Sequence, residues 1–214
     1  MNRDPHTNFS EETIVLILAA GRARRYGLDK RGAQVELSQT LLQKTISQYQ
    51  KLNLRILVCL SARAEDDFLE SLLLADSVEC LRCSRAEEGM GGTLAQAVTR
   101  IGEVPAVLVA LGDMPGLMPA TISTLLENMH SDCVVYPVFE GLRGHPVLFG
   151  RRFLSVLKAL GGDSGASKLL AENADSCVAI PVNDPGVLLD VDTPDDLEAM
   201  AQLLYARSSA GVSG

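Results

Sequence analysis

The 214-residue sequence predicts a three-layer α/β fold, a mainly parallel sheet with helices on both faces. Three observations carry this. Apolar runs of strand length alternate with amphipathic stretches along the whole chain. The runs are continuous rather than alternating, as expected of strands covered on both faces. Hydrophobic residues make up 47% of the chain, enough to fill such a core.

The elements follow in order. Residues 13–20 form a buried first strand rich in β-branched residues and leucine. Residues 38–52 place Leu41, Leu42, Thr45, Ile46, Tyr49 and Leu52 at helical spacing. A strand at 54–60 precedes a helix at 64–74, whose acidic first turn suits the helix dipole. A strand at 78–83, a helix at 92–101 and a fully apolar strand at 105–111 come next. Pro119 near the first turn marks a helix over 119–129. Strands at 133–138 and 145–149 flank a glycine-containing turn, and helical stretches at 150–159 and 165–173 follow. "CVAIPV" and "VLLDV" read as late strands, 194–207 as the last helix and "SSAGVSG" as a frayed tail. No linker or internal repeat interrupts the pattern, so residues 1–214 are expected to form one domain with a core of about 13–207.

Composition excludes several function classes. A net charge of -8 and few aromatics argue against a nucleic-acid surface. No apolar run spans a bilayer, and the polar, mixed-charge opening "MNRDPHTNFSEET" is not a secretory signal, so a soluble cytoplasmic protein is expected. Five scattered cysteines form no disulfide framework. Cys80 and Cys83 have CxxC spacing but lack the second pair that a structural zinc needs, and read as small apolar residues at a strand end.

In an α/β sheet ligands sit at the carboxyl ends of the strands. That rule selects the loops after Ala20, Leu111, Val138 and Asp190. The first contains five cations, Arg22, Arg24, Arg25, Lys30 and Arg31, against Asp29. Gly21 and Gly27 allow close backbone approach, arginine offers a bidentate fork to phosphate and lysine a mobile point charge. A solvated basic turn is the alternative reading. Neither the P-loop pattern nor a dinucleotide fingerprint follows the first strand. Asp113 stands just past an apolar strand, and Asp190 and Asp192 stand at another strand end, facing the same way if that strand continues between them. Carboxylates of this kind hold Mg2+ beside phosphates. An ordinary Asp turn, or a helix start before Pro194, would explain them equally well taken singly.

The ordered set "LAAGRARRYGLDK", "GMGGTL", "LGDMP", "RGHPVLF", "GGDSGA" and "DVDTPDDL" resembles the MobA-like nucleotidyltransferases, and within them the molybdenum cofactor cytidylyltransferases, over roughly residues 13–200. The resemblance implies a Rossmann-like sheet of the nucleotide-diphospho-sugar transferase type. It implies that Leu18, Ala19, Ala20 and Gly21 hold base and ribose and that Arg25 and Lys30 grip the triphosphate. Asp113 would be the main Mg2+ ligand, with Asp192 or Asp190 the second. Gly144, His145 and Pro146, with Gly162, Asp163 and Gly165, would shape the acceptor side. In this family LAAG accompanies cytidylyl and LAGG guanylyl transfer, so Ala20 points to CTP rather than GTP. The implied reaction moves CMP onto a molybdopterin-type acceptor and releases pyrophosphate, with a molybdoenzyme or its chaperone downstream. A carrier that binds a nucleotide-bearing cofactor without turnover, or a transferase for another phosphorylated acceptor, remains the alternative.

Overall fold

Strand β1 (Ile14–Leu18) is buried at every position and lies between β6 (Ala106–Leu111) and β4 (Arg55–Ser61), parallel to both. The computed structural model describes residues 12–21, 29–36, 39–163 and 166–210. Arg25 and Gly165, with most of the basic loop, lie outside the described residues.

Around β1 the main sheet runs β10 (Cys177–Pro181), β7 (Val134–Phe139), β9 (Val147–Gly150), β6, β1, β4, β5 (Glu79–Cys83). The β1, β4, β5, β6 half is parallel, as is the β10–β7 pair. β9 runs antiparallel to both its neighbours. A short strand β8 (Leu142–Arg143) folds back on β7 through Glu140 and Gly141, both with positive φ, a two-residue turn of the primed hairpin class.

Each strand face meets its own helices because side chains alternate along a strand. Val15, Ile17, Leu108 and Ala110 pack under α1 (Leu41–Gln50), α2 (Asp67–Ala75) and α4 (Pro119–Glu127). Ile14, Leu16, Val107 and Val109 pack under α3 (Met90–Ile101), α5 (Leu154–Lys158) and α6 (Ser167–Glu172). The layering is the one expected. Helix α1 starts later than the expected 38, because the Thr40 hydroxyl and the Gln43 side chain form a capping box there. A small hairpin of β2 (Gln34–Glu36) and β3 (Gln39–Thr40) precedes α1. The last helix, α7 (Pro194–Ala210), runs three residues into the expected tail, and packs Met200 and Leu204 with Val35, Leu41 and Val191. Among the described residues no helix is long and apolar enough to cross a membrane.

One expected strand is absent. "VLLDV" begins in a short 3-10 turn, Pro185–Val187, and continues without regular structure. The fully buried Asp184 carboxylate accepts from the Gly186 amide at 3.0 Å and from Met118 and Thr121 at 2.8 Å. That turns the chain before a ladder can form.

Cys80 and Cys83 cannot act as a pair. Three residues apart on a strand, they face opposite sides, Cys80 toward the α1/α2 core and Cys83 toward the α3 core. All five cysteines are free thiols.

Candidate active site

The rim is built by loops that leave the parallel strands at their carboxyl ends. Past β1, the Ala19 amide donates to the Cys59 carbonyl at 2.9 Å, while Gly112, past β6, donates to Leu18 at 3.0 Å. Ala19 and Ala20 are buried and Gly21 is exposed. Gly112 has to be a glycine, since a Cβ there would sit 2.9 Å from that of Ala19.

That close approach sets Asp113 at the floor of the rim. Its carbonyl accepts from the Val191 amide at 3.0 Å, which brings the irregular segment 188–193 alongside. One carboxylate oxygen each from Asp113, Asp190 and Asp192 then lies within 4.8 Å of the others. The three converge through a loop anchored on Asp113 rather than through strand alternation. Burial, then the neighbouring Asp113 and Asp192 charges, push the Asp190 carboxyl above its ordinary value.

Lys30 answers this charge. It sits in a 3-10 turn, Lys30–Gly32, capped by Asp29. Its ammonium donates to Asp113 Oδ2 at 2.9 Å and Asp192 Oδ1 at 2.8 Å. Burial alone would lower its pKa, but the Asp113 charge and the hydrogen bonds to Asp192 and Asp113 outweigh that and raise it.

Arg31, counted with the basic loop, faces the other way. Its guanidinium donates to Asp66 and to Asp29, and to the Ala19 carbonyl. Asp66 in turn accepts from the Ser61 amide at 2.6 Å. This network ties Ala19 and Asp29 to Asp66 and leaves Arg31 no free fork for a phosphate. Nothing in the residue order separated Arg31 from its cationic neighbours; only the partner on a distant turn does.

The other expected site residues divide into two groups. Gly144 presses on Val187, where a Cβ would lie 2.5 Å from the carbonyl oxygen, and the His145 amide donates to that carbonyl at 2.9 Å. Pro146 is buried beside them. His145 thus stands on the segment leading to Asp190. Burial first, then the Arg143 charge, lower its pKa, and its Nδ1 is buried without a hydrogen-bond partner among the described residues. Gly162 and Asp163 instead pack on the start of α3. Gly91 donates to Gly162 at 2.8 Å, and a Cβ on Gly89 would collide with the Asp163 carboxylate.

The donor set fits a hard divalent cation. It is all carboxylate oxygen, and Asp113 Oδ1 is buried with no hydrogen-bond partner among the described residues.

Residues 15–177 match the family model of the MobA-like NTP transferase domain. The chain belongs to that family. The match to the MobA-like domain takes in Lys30, Asp113 and His145, while Asp190 and Asp192 follow it on the loop that Val191 anchors. The MobA-like chain is 35% identical over 128 residues to a phosphoenolpyruvate guanylyltransferase of Conexibacter woesei, covering 57% of this chain and 56% of that protein. It is 32% identical over 117 residues to a probable molybdenum cofactor guanylyltransferase of Chloroflexus aggregans, covering 52% and 51%. It therefore spans about half the length of these curated relatives. The fold is shared with Rv0371c of Mycobacterium tuberculosis, solved in complex with manganese, at a TM-score of 0.73 and 21% identity over 90% of this chain and 99% of that one.

Proposed function

We propose that this MobA-like domain, with residues 13–207 acting as one unit, is a metal-dependent nucleotidyltransferase that moves CMP from CTP onto a phosphate-bearing acceptor of the molybdopterin type. The observation that carries this is the convergence of Lys30, Asp113, Asp190 and Asp192 at the carboxyl ends of the strands.

In the proposed reaction an acceptor phosphate oxygen attacks the α-phosphorus. The bond to the bridging oxygen breaks, and its electron pair leaves with pyrophosphate. The acceptor phosphate is already ionised, so no protein nucleophile is required. A divalent ion, Mg2+ in this reading, would be held by Asp113, Asp192 and Asp190 and would supply charge neutralisation on the phosphates. Lys30 and Arg25 bind the triphosphate and orient it in line, with charge fixed where it builds in the transition state. Leu18 to Gly21 hold the base and ribose. The Gly144–Pro146 segment, with Gly162, Asp163 and Gly165, lines the acceptor side, and burial and the Arg143 charge, against the Asp190 charge, lower the pKa of His145 there.

Ala20 supports CTP. The two curated relatives, both guanylyltransferases, favour GTP as a second reading. Pyrophosphate release with Mg2+ and purified molybdopterin, compared across CTP, GTP, ATP and UTP, decides between them. Phosphoenolpyruvate in place of molybdopterin tests the acceptor. Turnover with CTP alone supports the first reading and turnover with GTP alone the second. No release with any pair, from folded protein, removes transfer to these acceptors.

A further inference from the structure

The ammonium of Lys30 lies on two of the three carboxylates suited to a divalent ion, at 2.9 Å from Asp113 and 2.8 Å from Asp192. Its side chain is only 10% exposed, so this is a partly desolvated ion pair rather than a surface one. Mg2+ takes oxygen ligands at about 2.0–2.1 Å in a strict octahedron. The ammonium occupies Asp113 Oδ2 and Asp192 Oδ1, and its positive charge, 2.8–2.9 Å from both carboxylates, repels a divalent ion that approaches the same rim. Three carboxylates drawn within 4.8 Å of one another also repel, and without a cation between them the Val191–Asp113 loop contact would be strained apart.

We infer that Lys30 is the internal counter-cation of the metal-free protein, and that a divalent ion and the Lys30 ammonium exchange places at Asp113 and Asp192. The lysine stem is long and flexible enough to withdraw while its backbone stays in the capped turn. The released ammonium is then available to the nucleotide phosphates, the one step that rests on the transferase reading. Lys30 therefore does two things in sequence. It holds the acidic rim together before loading, and it weakens metal binding until an anion offers its ammonium another partner.

The exchange is tested with Mn2+ alone, without nucleotide, on the full chain. Lys30→Met is expected to bind Mn2+ about 10–100-fold more tightly than wild type, the equivalent of losing one competing charge-assisted hydrogen-bonded partner. It should melt lower than wild type in chelator and recover when Mn2+ is added. Lys30→Arg, which keeps the charge, should bind Mn2+ about as weakly as wild type. Equal or weaker Mn2+ binding by Lys30→Met overturns the inference. Should Lys30→Met not fold, the wild-type protein still tests it. The Lys30 ammonium resonance, seen by 1H–15N NMR in chelator, should shift and broaden on saturation with Mg2+, and a resonance unmoved at saturation overturns the exchange. None of these readouts needs catalysis. If the transferase reading fails, pyrophosphate release is absent while the metal exchange persists.

Discussion

The Val191 amide donates to the Asp113 carbonyl at 3.0 Å, and this one backbone bond aligns an acidic residue from the middle of the chain with an acidic segment near its carboxyl end. The Val191 side chain is fully buried among Val35, Leu41, Met200 and Leu204. With Val191 turned inward, Asp190 and Asp192 on either side of it bring their carboxylates to Asp113. The arrangement gives the irregular segment the positional definition that a strand would otherwise supply.

Asp113→Asn keeps the shape of the side chain and removes its charge. It should lower pyrophosphate release by at least ~100-fold, in line with the loss of one preorganised electrostatic group. Far-UV circular dichroism should be unchanged. A variant that keeps wild-type turnover would take Asp113 out of the mechanism.

Arg31→Met should destabilise strongly. It strands the Asp66 carboxylate, whose side chain is 3% exposed, without its guanidinium. Breaking such a buried pair from one side costs about 3–5 kcal/mol. Urea unfolding measures this, and a change below about 1 kcal/mol would mean a pair worth no more than a surface one.

The same pair sets part of the acid response. Burial pushes the Asp66 carboxyl up, but the Arg31 hydrogen bond and charge and the Ser61 amide hold it below its ordinary value. A carboxyl lowered on folding stabilises above its unfolded pKa of about 3.9, and that contribution is lost as pH falls through the folded value. Wild type should therefore exceed Asp66→Asn in stability at neutral pH, with the gap closing below about pH 4. A gap that stays constant down to pH 2 would assign the difference to packing.

Gly144→Ala should affect stability and metal binding together. The added Cβ would lie 2.5 Å from the Val187 carbonyl oxygen and 2.7 Å from its Cβ, so the segment leading to Asp190 must shift. Overpacking of this kind costs typically ~1–3 kcal/mol. Reduced melting temperature with weaker Mn2+ binding is the expected pair of results. Lower stability with unchanged metal affinity would show that the strain stops short of Asp190.

The layered sheet was legible because continuous apolar runs and helical spacing report burial directly, and the parallel strands β1, β4, β5 and β6 each fall within one residue of the expected run. Asp113 was legible because the strand-end rule points to it. "VLLDV" misled because burial is what its hydrophobicity records. Val187 and Val191 are fully buried, but in a turn and a loop whose backbone is set by Asp184 and Asp113. Lys30 and Arg31 are adjacent and chemically alike, yet one joins the acidic rim and the other the support beneath Ala19. Their partners are tertiary, so charge counting along the chain could not separate them. The family resemblance, carried by ordered motifs, agrees with the match over residues 15–177.

Lys30 meets Asp113 across 83 positions of sequence and Asp192 across 162. Contacts of such span close late, after the local strand–helix units have formed. During synthesis the ribosome releases Lys30 long before Asp192 exists. A chain ending between Asp113 and Asp190 contains the first of these partners but lacks Asp192, Val191 and the α7 contacts. The acidic rim can therefore be completed only once the carboxyl-terminal segment has been made.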